Sequence, residues 1–184
     1  MQKTDDRVDF MDADALMRQL KDGDLDRAGD LFSLYNKRLY NFFLKSTFDR
    51  DLSHDLTQNV FYRMIRYRKS FRGTDPFKSW IYQIARNTMA EHYRKEKRKS
   101  RFADLEEIAE KAEQPDMGGD QYINLYRAMT CLDNDQREIL VLSRYQDLKY
   151  KEIAEILDMT ETNVKTKVHR ALKQLREELK KMEV

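Results

Sequence analysis

The sequence predicts an all-α protein built as two small helical domains joined by an acidic flexible linker. Apolar residues recur at helical spacing along most of the chain, within a composition that is 40% hydrophobic and 37% charged, as amphipathic surface helices require. Only 5 Gly and 2 Pro stand among 184 residues, too few for a turn-rich sheet protein. The helical pattern lapses between residues 100 and 121, where Gln114-Pro115 and Gly118-Gly119 interrupt any continuous helix. The expected division is therefore a domain over 1–99, a linker over 100–121 and a second domain over 122–184.

Taken in order, a short helix near Asp12 to Lys21 brings Ala13, Leu16, Met17 and Leu20 onto one face. Leu31, Leu34, Tyr35, Leu39, Phe42 and Phe43 form the next stripe. Ser53 is a plausible N-cap for a third helix, DLTQNVFYRMIRY, whose apolar face is Leu56, Val60, Met64 and Tyr67. Its opposite face carries Asp55, Asn59, Tyr62 and Arg66. Asp75-Pro76 then signals a strong helix start, a capping carboxylate followed by a proline in the first turn. Phe77, Trp80, Ile81, Ile84, Ala85 and Thr88 give that helix its buried stripe, leaving Tyr82, Gln83, Arg86, Met89 and Tyr93 on the other side. Aromatic and cationic side chains interleaved in this way suit exposed bases and phosphates.

In the second domain, helices are expected near Gln121 to Thr130, Asp135 to Tyr145 and Lys149 to Leu157, followed by the turn Asp158-Met159-Thr160 and a last helix through Lys180. Tyr150, Ile153, Ala154 and Leu157 share a face. Two helices separated by so short a turn, the second capped by Thr160, make a helix-turn-helix, which presents its second helix to the major groove. Val164, Val168, Ala171, Leu172, Leu175 and Leu179 cluster on the inner face of that helix. Outward lie Thr162, Thr166, His169, Arg170 and Lys173, flanked by Lys165 and Lys167: hydroxyls, an imidazole and cations suited to base edges and phosphates.

The net charge of +2 conceals a sharp reversal. Arg94 to Arg101 holds six basic residues against Glu96, whereas Asp104 to Asp120 holds seven acids against Lys111, so a basic patch survives inside a nearly neutral chain. The acidic stretch is read as a solvated spacer, with a short helix possible over Ala103 to Ala112. The single cysteine, Cys131, closes no intramolecular disulfide and is expected as a small core residue in a reducing compartment. No apolar run approaches the roughly 18 residues needed to span a bilayer, and MQKTDDRVDF lacks the apolar stretch of a signal peptide. The expectation is a cytoplasmic protein without membrane insertion. His54, His92 and His169 lie in separate elements without metal-ligand spacing. Neither a phosphate-cradling glycine loop nor a nucleophile elbow is present, so no metal, cofactor, small-molecule substrate or catalytic activity is expected.

Four segments together resemble the extracytoplasmic-function sigma factors of bacterial RNA polymerase, over nearly the whole chain. They are GDLDRAGDLFSLYNKRLYNF, DLTQNVFYRM, FRGTDPFKSWIYQIARNTMAEHYRKEKR and YKEIAEILDMTETNVKTKVHRALKQLREEL, in that order. The resemblance implies that the first domain binds core RNA polymerase and recognises and melts the minus-ten promoter element, while the second binds the minus-thirty-five element. By matching motifs it assigns Asp55, Leu56, Gln58, Asn59 and Tyr62 to the polymerase contact, with Phe61 packing, and Asn59 departs from the glutamate often found there. Arg72, Gly73, Thr74 and Asp75 fall in the loop that captures a flipped minus-ten base, with Lys78, Tyr82 and Arg86 following on the helix. Trp80 is expected mainly in the core despite the family's use of aromatics near the melted strand. Thr162, Lys165, Thr166, His169, Arg170 and Lys173 match the reader of the minus-thirty-five element. An anti-sigma factor is a further implied partner, and the acidic linker would thread toward the polymerase's RNA exit path.

The residues alone leave two other readings open. A stand-alone helix-turn-helix regulator would bind an operator as a dimer without polymerase. A metal-dependent nuclease would cleave DNA until chelated, and no motif supports it.

Overall fold

The computed structural model describes residues 12–100, 120–146 and 148–182. Among these, every regular element is helical. They divide into two compact units, the first holding the helices up to Ser100 and the second those from Asp120, joined there by residues 44–50. The acidic stretch 101–119, including the possible helix at Ala103, lies outside the described residues.

In the first unit, α1 (Ala13–Asp22) starts where the Asp12 carboxylate accepts from the Asp14 amide at 3.0 Å. It stops at Gly23, whose φ of 118° is a left-handed cap that a side chain would strain. Leu16, Met17 and Leu20 are buried, as the spacing requires. Helix α2 (Arg27–Thr47) buries Leu31, Tyr35, Leu39, Phe42 and Phe43, with Leu34 half-buried at the edge of the stripe.

Helix α3 (Arg50–Arg66) begins three residues before the expected cap. Ser53 lies inside it, fully buried, and its carbonyl accepts from Thr57 Oγ1 at 2.7 Å. The inward face is Leu56, Val60, Phe61 and Met64, whereas Tyr67 lies beyond the helix and half exposed. A 3-10 turn at Arg68–Ser70 and the loop to Pro76 lead into α4 (Phe77–Ser100).

The buried stripe of α4 is rotated from the expected one. Tyr82 is fully buried, with Phe77, Ile81, Ala85, Thr88 and Met89 beside it, while Trp80 and Ile84 are half-buried. Tyr82 meets Phe42 of α2 edge-on at 5.6 Å, and burial pushes its hydroxyl well above the ordinary phenol value. The rotation lets Tyr82 pack against Phe42 of α2 while Trp80 stays half-buried against Phe71.

The second unit comprises α5 (Asp120–Thr130), α6 (Asn134–Tyr145), α7 (Tyr150–Leu157) and α8 (Glu161–Met182). Cys131, expected in a core, is exposed just past α5, and the next residue, Leu132, turns inward instead. Helix α6 opens with a capping box. Asp133 accepts from the Gln136 amide at 2.7 Å, and Gln136 Oε1 accepts from the Asp133 amide at 3.2 Å. Gln136 also donates to Gln174 of α8 at 2.7 Å, tying the two helices together. The core of this unit is Ile139, Leu140, Val141, Leu142, Ile153, Ala154, Ile156, Val164, Val168 and Ala171.

Candidate nucleic-acid interface

The turn between α7 and α8 sets the outer face of α8. Asp158 takes a left-handed backbone, φ 52°, and its amide donates to carbonyls in the last turn of α7. Three residues after the end of α7, Thr160 Oγ1 accepts from the Asn163 amide at 3.2 Å and caps α8. With Val164, Val168 and Ala171 held inside, Thr162, Lys165, Thr166, His169, Arg170 and Lys173 are all exposed. At 100° per residue those six fall within an arc of roughly 140°, one side of the helix. Thr166 Oγ1 donates to the Thr162 carbonyl at 3.0 Å, leaving the oxygen of that hydroxyl as an outward acceptor. Lys165 pairs with Glu161 at 3.0 Å and Lys173 with Glu177 at 4.0 Å, exposed pairs that a phosphate displaces at little cost. Leu172, Leu175 and Leu179 are half-buried, so the apolar stripe thins toward the end of α8.

On the first unit, residues 70–75 fold around an open cleft of about 270 Å³ lined by Ser70, Phe71, Arg72, Gly73, Thr74, Asp75, Trp80 and Gln83. Gly73 has φ 74°, a left-handed turn that brings Arg72 and Thr74 onto the same rim. Trp80 stands edge-on to Phe71, with ring centres 5.5 Å apart, and lines the cleft half-buried. Arg72, Thr74 and Asp75 are exposed, and Thr74 Oγ1 donates to Asp75 at 3.3 Å. The cap expected from Asp75 is supplied at the Phe77 amide by another residue, Asp14 of α1. Asp75 therefore keeps its carboxylate on the cleft.

The structure brings Arg72, Gly73, Thr74 and Asp75 together and sets Lys78 and Arg86, both half-buried, farther along α4. Tyr82 is the correction. Fully buried, it offers no surface to DNA. The sequence reading also missed Ser70 and Phe71 as lining residues, since a loop wall has no periodicity to betray it, whereas Gln83 lines the cleft from the outward face of α4 that periodicity gave it.

The exposed side of α3 presents Asp55, Gln58, Asn59 and Tyr62. Leu56 is corrected as well, because it is buried at 5% exposure and belongs to packing. A second groove of about 180 Å³ runs between this helix and α4, lined by Asp55, Asn59, Arg63, Glu91, His92 and Lys95 among others. Arg63 bridges it. Its Nε donates to Asn59 Oδ1 at 2.7 Å and its Nη2 to Glu91 of α4. Arg63, with Lys95 adding a second ion pair at 3.0 Å, pulls the Glu91 carboxyl down to about 2.

Among the described residues, no helix is long and apolar enough to cross a membrane. No group of three or more His, Cys, Asp or Glu is disposed to hold a metal ion there.

Residues 31–99 match the family of sigma-70 region 2, and residues 122–175 match sigma-70 region 4. The RNA polymerase sigma factor SigV of Bacillus subtilis is 32% identical over 135 residues, covering 72% of this chain and 79% of that protein. The ECF RNA polymerase sigma factor SigX of the same organism is 29% identical over 158 residues, 81% of each chain. Among solved structures, the sigma factor RpoE of Bartonella quintana, in complex with the anti-sigma factor NepR, superposes with a TM-score of 0.68 at 26% identity, covering 81% of this chain and 94% of that one. With both sigma regions present in order and relatives matched along most of their length, the chain belongs to the extracytoplasmic-function sigma factors, which direct promoter-specific transcription by RNA polymerase and are not enzymes.

Proposed function

We propose that residues 1–99 form the unit that binds core polymerase and melts the minus-ten element, that 100–121 is a spacer, and that 122–184 bind the minus-thirty-five element. The observation that carries this is the cleft at residues 70–75, which sets the half-buried Trp80 beside the short polar groups of Thr74 and Asp75. A base swung out of its stack needs that chemistry: an aromatic wall to replace lost stacking and nearby donors and acceptors to read its edge. Arg72 adds a cation for the adjoining phosphate. Asp55, Gln58, Asn59 and Tyr62 on α3 supply the polymerase contact, and the outward side of α8 enters the major groove. An anti-sigma factor, of the kind seen with the Bartonella quintana relative, is a further partner.

Permanganate footprinting of holoenzyme on a cognate promoter tests the melting step. Trp80→Ala is expected to reduce thymine reactivity in the minus-ten element about tenfold, equivalent to roughly one stacking interaction, while duplex binding through the minus-thirty-five element persists. Full reactivity in that variant, with the fold verified by circular dichroism, would remove the cleft from promoter opening.

A further inference from the structure

Helix α1 precedes the segment that matches sigma-70 region 2, which begins at residue 31. It nevertheless holds both ends of the cleft loop. Lys21 Nζ donates to the carbonyl of Phe71 at 2.7 Å, where the loop begins. Asp14 Oδ1 accepts from the amide of Phe77, where the loop ends and α4 starts. Both bonds are partly buried and join residues 50 and 63 positions apart in the chain.

The spacing on α1 accounts for this. Asp14 and Lys21 are seven residues, about two turns, apart, so they share a face to within about 20° and stand about 10 Å from each other along the axis. Leu16, Met17 and Leu20 are buried in the core, which anchors the helix independently of its two polar contacts. A rigid rod with one acceptor and one donor at a fixed separation therefore spans the loop from Phe71 to Phe77. Between those two points the loop makes its left-handed turn at Gly73 and carries Thr74 and Asp75. Phe71, whose carbonyl is held by Lys21, is also the ring against which Trp80 stands. The shape of the cleft and the directions of its rim groups thus depend on α1.

We infer that Asp14 and Lys21 are positioning residues for base capture: they fix the loop so that its selectivity among bases is set in part by a helix that contributes no residue to the cleft. This rests on the reading of the cleft as the minus-ten base site. Discrimination between bases depends on fixed hydrogen-bond directions, and loosening the frame lowers it before it lowers general affinity.

The test uses holoenzyme assembled from core polymerase and the full chain, bound to fork-junction DNAs carrying each of the four bases in turn at every single-stranded minus-ten position. The double variant Asp14→Ala/Lys21→Met is expected to lose about five- to tenfold in affinity for the favoured base, as for two hydrogen bonds removed, and to narrow its advantage over the other three. Amide exchange at residues 72–75 should quicken in parallel. Asp14→Asn/Lys21→Arg, which retains an acceptor and a donor, should restore the advantage. A double variant that melts at a lower temperature but keeps the parental base preference overturns the inference, leaving α1 a packing helix only. Thr74→Ala and Trp80→Ala separate the two readings. If they abolish the preference while the double variant keeps it, only the role of α1 fails. If they too leave it unchanged, the cleft is not the base site and the inference falls with it.

Discussion

His169 and Arg170 are neighbours on α8 and both exposed, and we propose different work for them. An imidazole can donate or accept at one ring nitrogen and so read a base edge, whereas a guanidinium beside the groove wall can clamp a phosphate. Their neighbours Val168 and Ala171 are buried, so substitution of either outward residue should leave the fold intact. His169→Ala is expected to relax preference at one or two minus-thirty-five positions, at about 1 to 3 kcal/mol for the favoured base. Arg170→Ala should weaken every sequence alike and reduce the salt slope by about one unit. Affinities of the full chain across single-base duplex variants at several salt concentrations separate the two. Parental behaviour in both variants would mean this face does not read the groove. Asp55 tests the other unit in the same way. Exposed on α3, it can be reversed to Arg without disturbing the core, and Asp55→Arg should weaken capture of core polymerase in a pull-down while circular dichroism is unchanged.

Helices α3 and α4 are latched by Arg63 and Glu91, and acid should release them. The Glu91 carboxyl lies at about 2, below its ordinary 4.5, chiefly because Arg63 donates to it. A depressed carboxylate contributes stability above its unfolded value and loses it as pH falls through the folded one. The melting-temperature difference between the parent and Arg63→Met should therefore be constant above about pH 5 and shrink between 4.5 and 2. A difference that persists unchanged at pH 2 would show that Arg63 stabilises by packing alone. Such cross-helix ties mark the limit of what was legible in the sequence. Among the described residues, periodicity and capping signals located the α-helices, and periodicity the outward face of α8, because each amphipathic helix turns one face to its core. It set Leu56 inside α3, where only the motif match made it a polymerase contact, but it misplaced Tyr82, since assigning a bulky side chain to core or site depends on what stands opposite it, here Phe42. It also took Asp75 as the cap of α4, where Asp14, 63 residues earlier, holds the Phe77 amide. A local rule cannot register a partner that distant. The residues of the cleft were nameable only through the motif that contains them, because Gly73 and Thr74 are ordinary loop residues until the turn closes around Trp80.

At the scale of the whole molecule, each unit has its own buried core and its own candidate reader. A net charge of only +2 over 35 basic and 33 acidic side chains leaves sequence-independent attraction to DNA to local basic stretches such as Arg94 to Arg101. On the proposed division of labour, promoter selection comes from two local contacts used together on polymerase, each worth a few kcal/mol. If each reader responds only to its own element, their energies add. Exchanging Arg72 to Thr74 for the loop of another sigma factor, with Asp75 and the α1 contacts kept, should change minus-ten preference and leave minus-thirty-five preference as in the parent. Exchanging the outward residues of α8 should do the converse. In the double exchange, the promoter-binding energies of holoenzyme should sum to within about 0.5 kcal/mol, the behaviour of independent sites. Run-off transcription from a library varied in both elements measures both preferences in one experiment. A loop exchange that also shifts minus-thirty-five preference, or a sum that misses by several times that margin, would show that the two readers are coupled and that the division of labour between the units is wrong.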